Sequence, residues 1–393
     1  MKALIIGCGI GGPTVAMALQ HVGIESAIYE AHANTADGVG SFLNIASNGL
    51  DALRGLGAHE AVMAAGIPTP HMVMWSGTGK RLGQVENGLR LDDGTVSHTI
   101  QRPDFNRIVR DEATAHGIPI AYGKRLVAIR ESATDVTAVF EDGSEATGDL
   151  LIATDGVHSA TRTLIDPAAP GPRYSGLLSM GGVVDDPAFT GPAGTYNMIF
   201  GKRAFFGYTV ADSGETWWFA NLPMAKEPSR GTLAETDWKP VLIDALSGDN
   251  NFSAEIIRRG EIELVSPVYD LPPIPTWHRG RVLLTGDAAH ATSPSSGQGA
   301  SLAIEDGLIL AKCLRDLPDY AAAFERFELL RRDRAERVVE FSRRISNSKA
   351  AGPIARTFRD LMMPLFLKKA ASPDALAWLY RHHVDWDVPL TVS

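Results

Sequence analysis

The sequence has 393 residues, 45% of them apolar and 21% charged, with 37 Lys plus Arg against 46 Asp plus Glu for a formal net charge of −9. That length suggests roughly two to three domains, or one with a large insertion, and the composition excludes a disulfide miniprotein, collagen, a coiled coil and a largely disordered chain. No dense basic run favours nucleic acid, and two cysteines, Cys8 and Cys313, are too few for a disulfide framework and suit a reducing compartment.

From the N-terminus, Leu4, Ile5 and Ile6 read as a buried strand that runs straight into a glycine turn. This is no signal-peptide pattern, and no apolar stretch reaches the ~18 residues of a membrane span, so a cytoplasmic location is expected. Val15, Ala16, Leu19 and Val22 recur at helical spacing, Gly23 stops the helix, and Ile24 to Tyr29 form a second strand ending on Glu30. Together they make a βαβ unit. A helix is expected near Asn48 to Leu56, strands near His71 to Trp75 and Gly94 to Ile100, and a helix from Arg102 to about His116. Short strands follow at 118–122, 126–131 and 136–140, with a turn at Asp142-Gly143 and a buried strand over Leu150 to Ala153. Pro167 to Pro172 reads as a linker.

Beyond it, residues 173 to about 275 are rich in aromatic and β-branched residues, with strands at 196–200, 204–210 and 216–221, so a separate antiparallel sheet is expected there. Val282 to Leu284 starts a strand that returns to the first sheet, ahead of helices at about 300–314 and 320–346. The expected fold class is therefore α/β: a Rossmann-like dinucleotide-binding domain with an inserted antiparallel β-sheet substrate domain and a helical C-terminus. Its first domain would be discontinuous (1–70, 100–172 and 276–320), the substrate domain would take 71–99 and 173–275, and helices would fill 321–393.

Gly7-Cys8-Gly9-Ile10-Gly11-Gly12 fits G-x-G-x-x-G between a strand and a helix. The first glycine permits the tight turn, the second lets the backbone approach a pyrophosphate and the third lets the helix pack on the strand. The helix N-terminus favours phosphate, and Glu30 can accept hydrogen bonds from ribose hydroxyls. This pattern does not separate NAD from FAD.

Two further runs do. Ala153-Thr154-Asp155-Gly156 through Arg162, and Leu284-Thr285-Gly286-Asp287-Ala288-Ala289-His290 with Pro294 and Gly297-Gln298-Gly299, closely resemble signatures of the single-component flavin monooxygenases of the p-hydroxybenzoate hydroxylase type. The resemblance spans nearly the whole chain. It implies FAD bound by Gly7, Gly9, Ile10, Gly11, Gly12, Glu30, Arg102, Leu126, Asp155, Gly286, Asp287, Pro294, Gly297, Gln298, Gly299 and Ala300. It implies NADPH or NADH as cosubstrate with no second nucleotide domain, O2 as oxidant through a flavin C4a-hydroperoxide, and a small aromatic or polyketide-like substrate. On the physical side, a carboxylate at a strand end can bond a ribityl hydroxyl, and a helix opening at Gly299 would stabilise negative charge on reduced flavin. The chain departs from the family at Ala31 and His32, where a basic residue often follows the acid, at Thr154 for Ala and at Ser301 for Asn.

The remaining readings are plainer. Arg162 pairs with Asp155 or with a phosphate, the pairing with Asp155 being either functional or purely structural; His290 packs in its turn rather than acting as a base; His382 and His383 lie on the surface; Cys313 is core. Arg331 to Arg337, alternating with Asp333 and Glu336, reads as a solvated helix face. Met362, Met363, Leu365, Phe366 and Leu367 pack the C-terminal helix on the body in preference to touching a membrane. Phe206 and Tyr208 share a strand face by period two and are expected to line the substrate pocket. No metal ligand set and no general base stand out, and the chain is expected as a monomer or homodimer. An FAD-dependent monooxygenase is the leading expectation. The alternatives are a flavin halogenase, for which the tryptophan spacing is wrong, an FAD-dependent reductase or dehydrogenase without oxygen insertion, and a non-catalytic FAD- or ligand-binding protein.

Overall fold

A computed structural model describes residues 1–35, 41–186, 188–189, 193–349, 352–370 and 375–390. Its first sheet has six strands in the order His278–Arg279, Val282–Leu284, Leu150–Ala153, Lys2–Ile6, Glu25–Tyr29 and Ile120–Ala121, all parallel except the outermost His278–Arg279. Register puts Ile6 level with both Ala153 and Tyr29, and Ala153 level with Leu284. The strands therefore end together, and Gly7, Glu30, Thr154 and Thr285 all leave one edge of the sheet, where open α/β folds bind their ligands. The apolar runs are fully buried because the sheet is covered on both faces, by the Gly11–His21 and Gly299–Asp316 helices on one side and by a small antiparallel sheet (Leu126–Glu131, Val136–Phe140, Glu145–Gly148) on the other.

A second sheet of seven strands takes Leu264–Asp270, Arg173–Val184, Thr216–Pro223, Phe205–Val210, Thr195–Phe200, His71–Ser76 and Arg81–Glu86 in that spatial order. It is antiparallel except where Thr195–Phe200 lies parallel to His71–Ser76, a pairing between distant segments that corrects the all-antiparallel expectation. Three helices not expected from the sequence, Arg230–Glu235, Trp238–Leu246 and Ser253–Arg259, follow this sheet's strands. The signal was present: Trp238, Leu242, Ala245 and Leu246 keep helical spacing, and the Asp237 side chain caps the helix by accepting from the Lys239 N–H. Near residue 94 the expected strand is instead a turn, and the strand begins at His98. Phe42–Ile45, His98–Gln101 and Ile67–Pro68 form a third, bridging sheet.

The 30-residue helix Tyr320–Lys349 runs beside both large sheets. In the following helix Leu367 is buried and Met363 packs beside it on the seven-stranded sheet, Leu365 is exposed, and the side chain of Phe366 lies outside the described residues. Among the described residues no helix is long and apolar enough to cross a membrane.

Candidate FAD site and substrate face

The glycine turn is sealed on one side and open on the other. Gly7 has φ +104°, and a Cβ there would stand 2.6 Å from the Thr154 carbonyl oxygen; one on Gly12 would run into the Gly7 carbonyl. At Gly9 a Cβ would meet nothing within 4 Å, so the middle of the turn faces open space. Thr154, one of the family departures, donates its hydroxyl to the Ile6 and Gly7 carbonyls at 3.0 Å each and stitches the second motif to the first. Cys8 is no exposed thiolate, since burial, with Glu30 adding, pushes its thiol up to about 12.

Glu30 accepts from the Cys8 N–H at 2.7 Å and from the His32 N–H at 2.9 Å. Its carboxylate is thus fixed at the strand end by backbone donors, one of them from the departing Ala31-His32 pair. Leu126 is buried at the start of its strand, two residues after Lys124; Gly123 and Lys124 donate backbone N–H groups to the His32 and Glu30 carbonyls. The structure thereby brings Leu126 to the Glu30 side of the cleft.

Asp155 accepts from the Thr161 N–H and hydroxyl at 3.0 and 2.9 Å through Oδ2, while its Oδ1 is buried without a hydrogen-bond partner. Burial raises its carboxyl above the usual range, against the hydrogen bonds from Thr161. Arg162 settles on two backbone carbonyls, Ala288 at 3.0 Å and Val157 at 2.8 Å, and makes no hydrogen bond to Asp155. It ties the Asp155-Gly156 turn to the Gly286-Asp287 turn.

Gly286 donates its N–H to Asp306 at 2.7 Å, and the next residue, Asp287, stays open to the cleft although protein crowds it. That crowding pushes the Asp287 carboxyl upward, opposed by His290 and Arg102 and reinforced by Asp306. Arg102 is exposed at the head of its helix, with its own N–H donating to Ser41 at 2.9 Å. Pro294 opens a single 3₁₀ turn that ends on Gly297, and the Gly299–Asp316 helix follows with Ala300 partly buried in its first turn. Gln298 is fully buried and its side chain pairs with Asn48 (3.0 Å), so only its backbone is available to a ligand. Ser301, the other departure, packs against Gly49, where any Cβ would collide with its hydroxyl.

Neither the Gly11–His21 helix nor the Gly299–Asp316 helix has a side-chain cap or an acid in its first turn. Two uncapped N-termini, an open Gly9 and carboxylates at Glu30 and Asp287 form a cleft with donors for phosphate and acceptors for sugar hydroxyls. The donor set fits FAD.

Beneath Gly286 lies a buried ionic cluster that was not anticipated. His290 Nε2 and Asp306 Oδ2 are 2.7 Å apart, Arg331 Nε donates to Asp306 Oδ1 at 2.7 Å, and Arg331 and Arg334 each reach Glu305 at 2.8 Å. Asn48 donates to Glu305 at 2.7 Å and closes the circuit to Gln298. Arg331 is 0% exposed, which corrects its reading as part of a solvated face: two adjacent, fully buried acids on the facing helix draw it inward. The available signal was that acid pair, Glu305-Asp306, between Ile304 and Leu308. Burial raises both carboxyls, but the surrounding cations prevail and hold each down at about 2. His290 is buried beside Trp277. His383 is exposed and pairs with Asp51, whereas His382 is half-buried against Glu305, and burial lowers it to about 4.

Phe206 and Tyr208 are the second correction. Phe206 is 0% exposed and stacks on Trp218, and both residues belong to the cluster with Leu242, Leu246 and Ile257 of the unexpected helices. The period-two pairing holds, but that face is the one those helices cover. The opposite face carries Phe205, Trp217, Phe219 and Asn221, with Tyr196 on the neighbouring strand, and Phe42 of the bridging sheet reaches Tyr196, Trp217 and Phe219 at about 6 Å between ring centroids. Asn44, two residues along that strand, lies next to Gly297. The face toward the Gly297 turn is therefore this one.

The family profile described as FAD binding domain matches residues 1–342. The chain is 30% identical over 352 residues to an FAD-dependent urate hydroxylase of Klebsiella pneumoniae subsp. pneumoniae, covering 86% of this chain and 88% of that protein. It is 31% identical over 356 residues to the aurachin C monooxygenase/isomerase of Stigmatella aurantiaca, covering 88% of each. The crystal structure of Klebsiella pneumoniae HpxO complexed with FAD and uric acid superposes with a TM-score of 0.84 at 27% identity, over 96% of this chain and 97% of that one. The cleft and these likenesses agree, and the chain belongs to the FAD binding domain family, among the single-component flavin monooxygenases of the p-hydroxybenzoate hydroxylase type.

Proposed function

We propose that this protein hydroxylates an aromatic or polyketide-like small molecule by the balance substrate–H + O2 + NAD(P)H + H⁺ → substrate–OH + NAD(P)⁺ + H2O. The observation that carries this reading is the placing of an aromatic sheet face, with Phe205, Trp217 and Phe219, across the bridging strand from the Gly297 turn. When bound, FAD supplies hydride acceptance from the nicotinamide and activation of O2. The chain's own residues do the rest. Glu30 and the residues at Leu126 hold the adenosine end, Gly9 and the first helix the pyrophosphate, and Asp155 and Asp287 the ribityl side. Arg102, with its charge beside Asp287, and the backbone from Pro294 to Ala300 hold the ring. The aromatic face excludes water and orients the substrate ring.

The test is anaerobic addition of NADPH or NADH to the FAD-loaded protein, with and without a panel of aromatic compounds that includes urate, followed by ¹⁸O2. Flavin bleaching and then labelled oxygen in the product are expected. Bleaching with no label in any product would replace hydroxylation by a reductase or dehydrogenase activity.

A further inference from the structure

The proposed reaction lacks a residue to handle an acidic substrate, and the flavin-side face of the seven-stranded sheet holds one. Lys349, the last residue of the Tyr320–Lys349 helix, donates from Nζ to Asn221 Oδ1 at 2.8 Å. The same ammonium stands 4.4 Å from the Phe205 ring centroid and 5.6 Å from that of Phe219. One turn earlier, Ser346 Oγ bonds both Ser293 and Ser295 at 2.8 Å, and Ser342 bonds Ser296. The helix is thereby clamped to the Pro294 turn that walls the flavin cleft, and its end projects the lysine onto the aromatic face. Gly207 has no side chain there, and the Phe219 ring lies across it.

We propose that Lys349 binds the ionisable oxygen of the substrate and holds it as an anion, which narrows the substrate to aromatics bearing an acidic hydroxyl or enolic group. This rests on the hydroxylase reading above. The step is a proton transfer: the substrate O–H bond breaks, the proton joins the neutral Lys349 amine, and the electron pair stays on oxygen, where it activates the ring toward electrophilic oxygen transfer. Among the described residues no carboxylate pairs with Lys349, and Asn221 and the two rings offer no counter-charge. Burial pushes its ammonium down to about 7, so the amine is available near neutrality and an incoming anion restores its charge.

The test uses the FAD-loaded protein and two probes, 4-nitrophenol, whose phenolate has its own absorption band, and nitrobenzene, which has no proton to lose. Below the phenol's own pKa, wild type should bind 4-nitrophenol as the coloured anion. Lys349→Met should bind it roughly tenfold or more weakly and leave it neutral, Lys349→Arg should restore the anion's binding, and nitrobenzene should bind all three alike. The assignment is overturned if wild type does not bind the phenol, if the bound phenol stays uncharged, or if Lys349→Met weakens both probes equally, as lost packing would. Retained FAD with any of these outcomes removes the lysine's role alone. A wild type that neither keeps FAD nor incorporates labelled oxygen removes the hydroxylase reading instead.

Discussion

The corner under Gly286 and the inner face of the seven-stranded sheet lie against the same helix and are built from opposite materials. The corner is ionic: Asp306, Arg331, Glu305 and Arg334 neutralise one another away from water, and His290 hydrogen-bonds Asp306. The sheet face is aromatic; Arg359 over Phe200 is paired with Asp360, whereas Lys349 over Phe205 has a neutral amide for a partner. A buried charge cluster with every member paired is rigid and costly to alter, because removing one member strands the others. An aromatic face with a single unpaired cation is tolerant of change and receptive to a ligand. The contrast teaches that burial of charge serves positioning on the cofactor side and reception on the substrate side.

The sharpest way to break this comparison is Arg331→Met, which leaves Glu305 and Asp306 short of a partner. It should cost about 3–5 kcal/mol in denaturant unfolding of the holoprotein, and it should weaken FAD, because Asp306 holds the Gly286 N–H. A loss below about 1 kcal/mol would show the cluster to be inessential. Close behind, Phe206→Ala should also cost about 3–5 kcal/mol while leaving substrate preference unchanged. Phe219→Ala should show the reverse pattern, with KM moving more than stability. If Phe206→Ala changes substrate preference, the two faces have been assigned the wrong way round.

The glycine turn sharpens the comparison within the cofactor half. Gly12→Ala forces helix and strand apart and should cost about 1–3 kcal/mol. Gly9→Ala meets no protein atom and should leave apoprotein stability within about 0.5 kcal/mol while weakening FAD, as titration of flavin fluorescence would read. The smallest effect near neutrality is that of pH. Glu305 and Asp306 have carboxyls depressed to about 2, so their contribution is fully present above the ordinary carboxyl range and is lost as pH falls through about 4 toward 2. Thermal melts across that interval should show the loss, and Arg331→Met should flatten it.

How far the sequence could be read follows from which contacts were local. The turns at the sheet edge were legible, because Gly7, Gly12 and Gly286 bend or pack the backbone at the ends of strands whose apolar runs declare themselves. The choice of sheet face was not legible from period two alone. Alternation groups Phe206 with Tyr208 but does not say which group the 238–259 helices will cover. Arg331 escaped for a related reason. In its own helix it alternates with acids as a surface residue does, and only Glu305 and Asp306, on another helix, pull it inside.

The long helix has a consequence for engineering. At ~1.5 Å per residue its 30 positions extend about 45 Å, with Arg331 locked in the ionic corner, Ser342 and Ser346 on the Pro294 turn, and Lys349 on the sheet. Exchanging residues 173–270 with those of a relative would therefore transplant only half a binding pocket. The other half hangs from a rod whose angle is fixed by residues of the recipient's cofactor domain, so chimeras that carry both the sheet and its matching helix should transfer selectivity where sheet-only swaps do not.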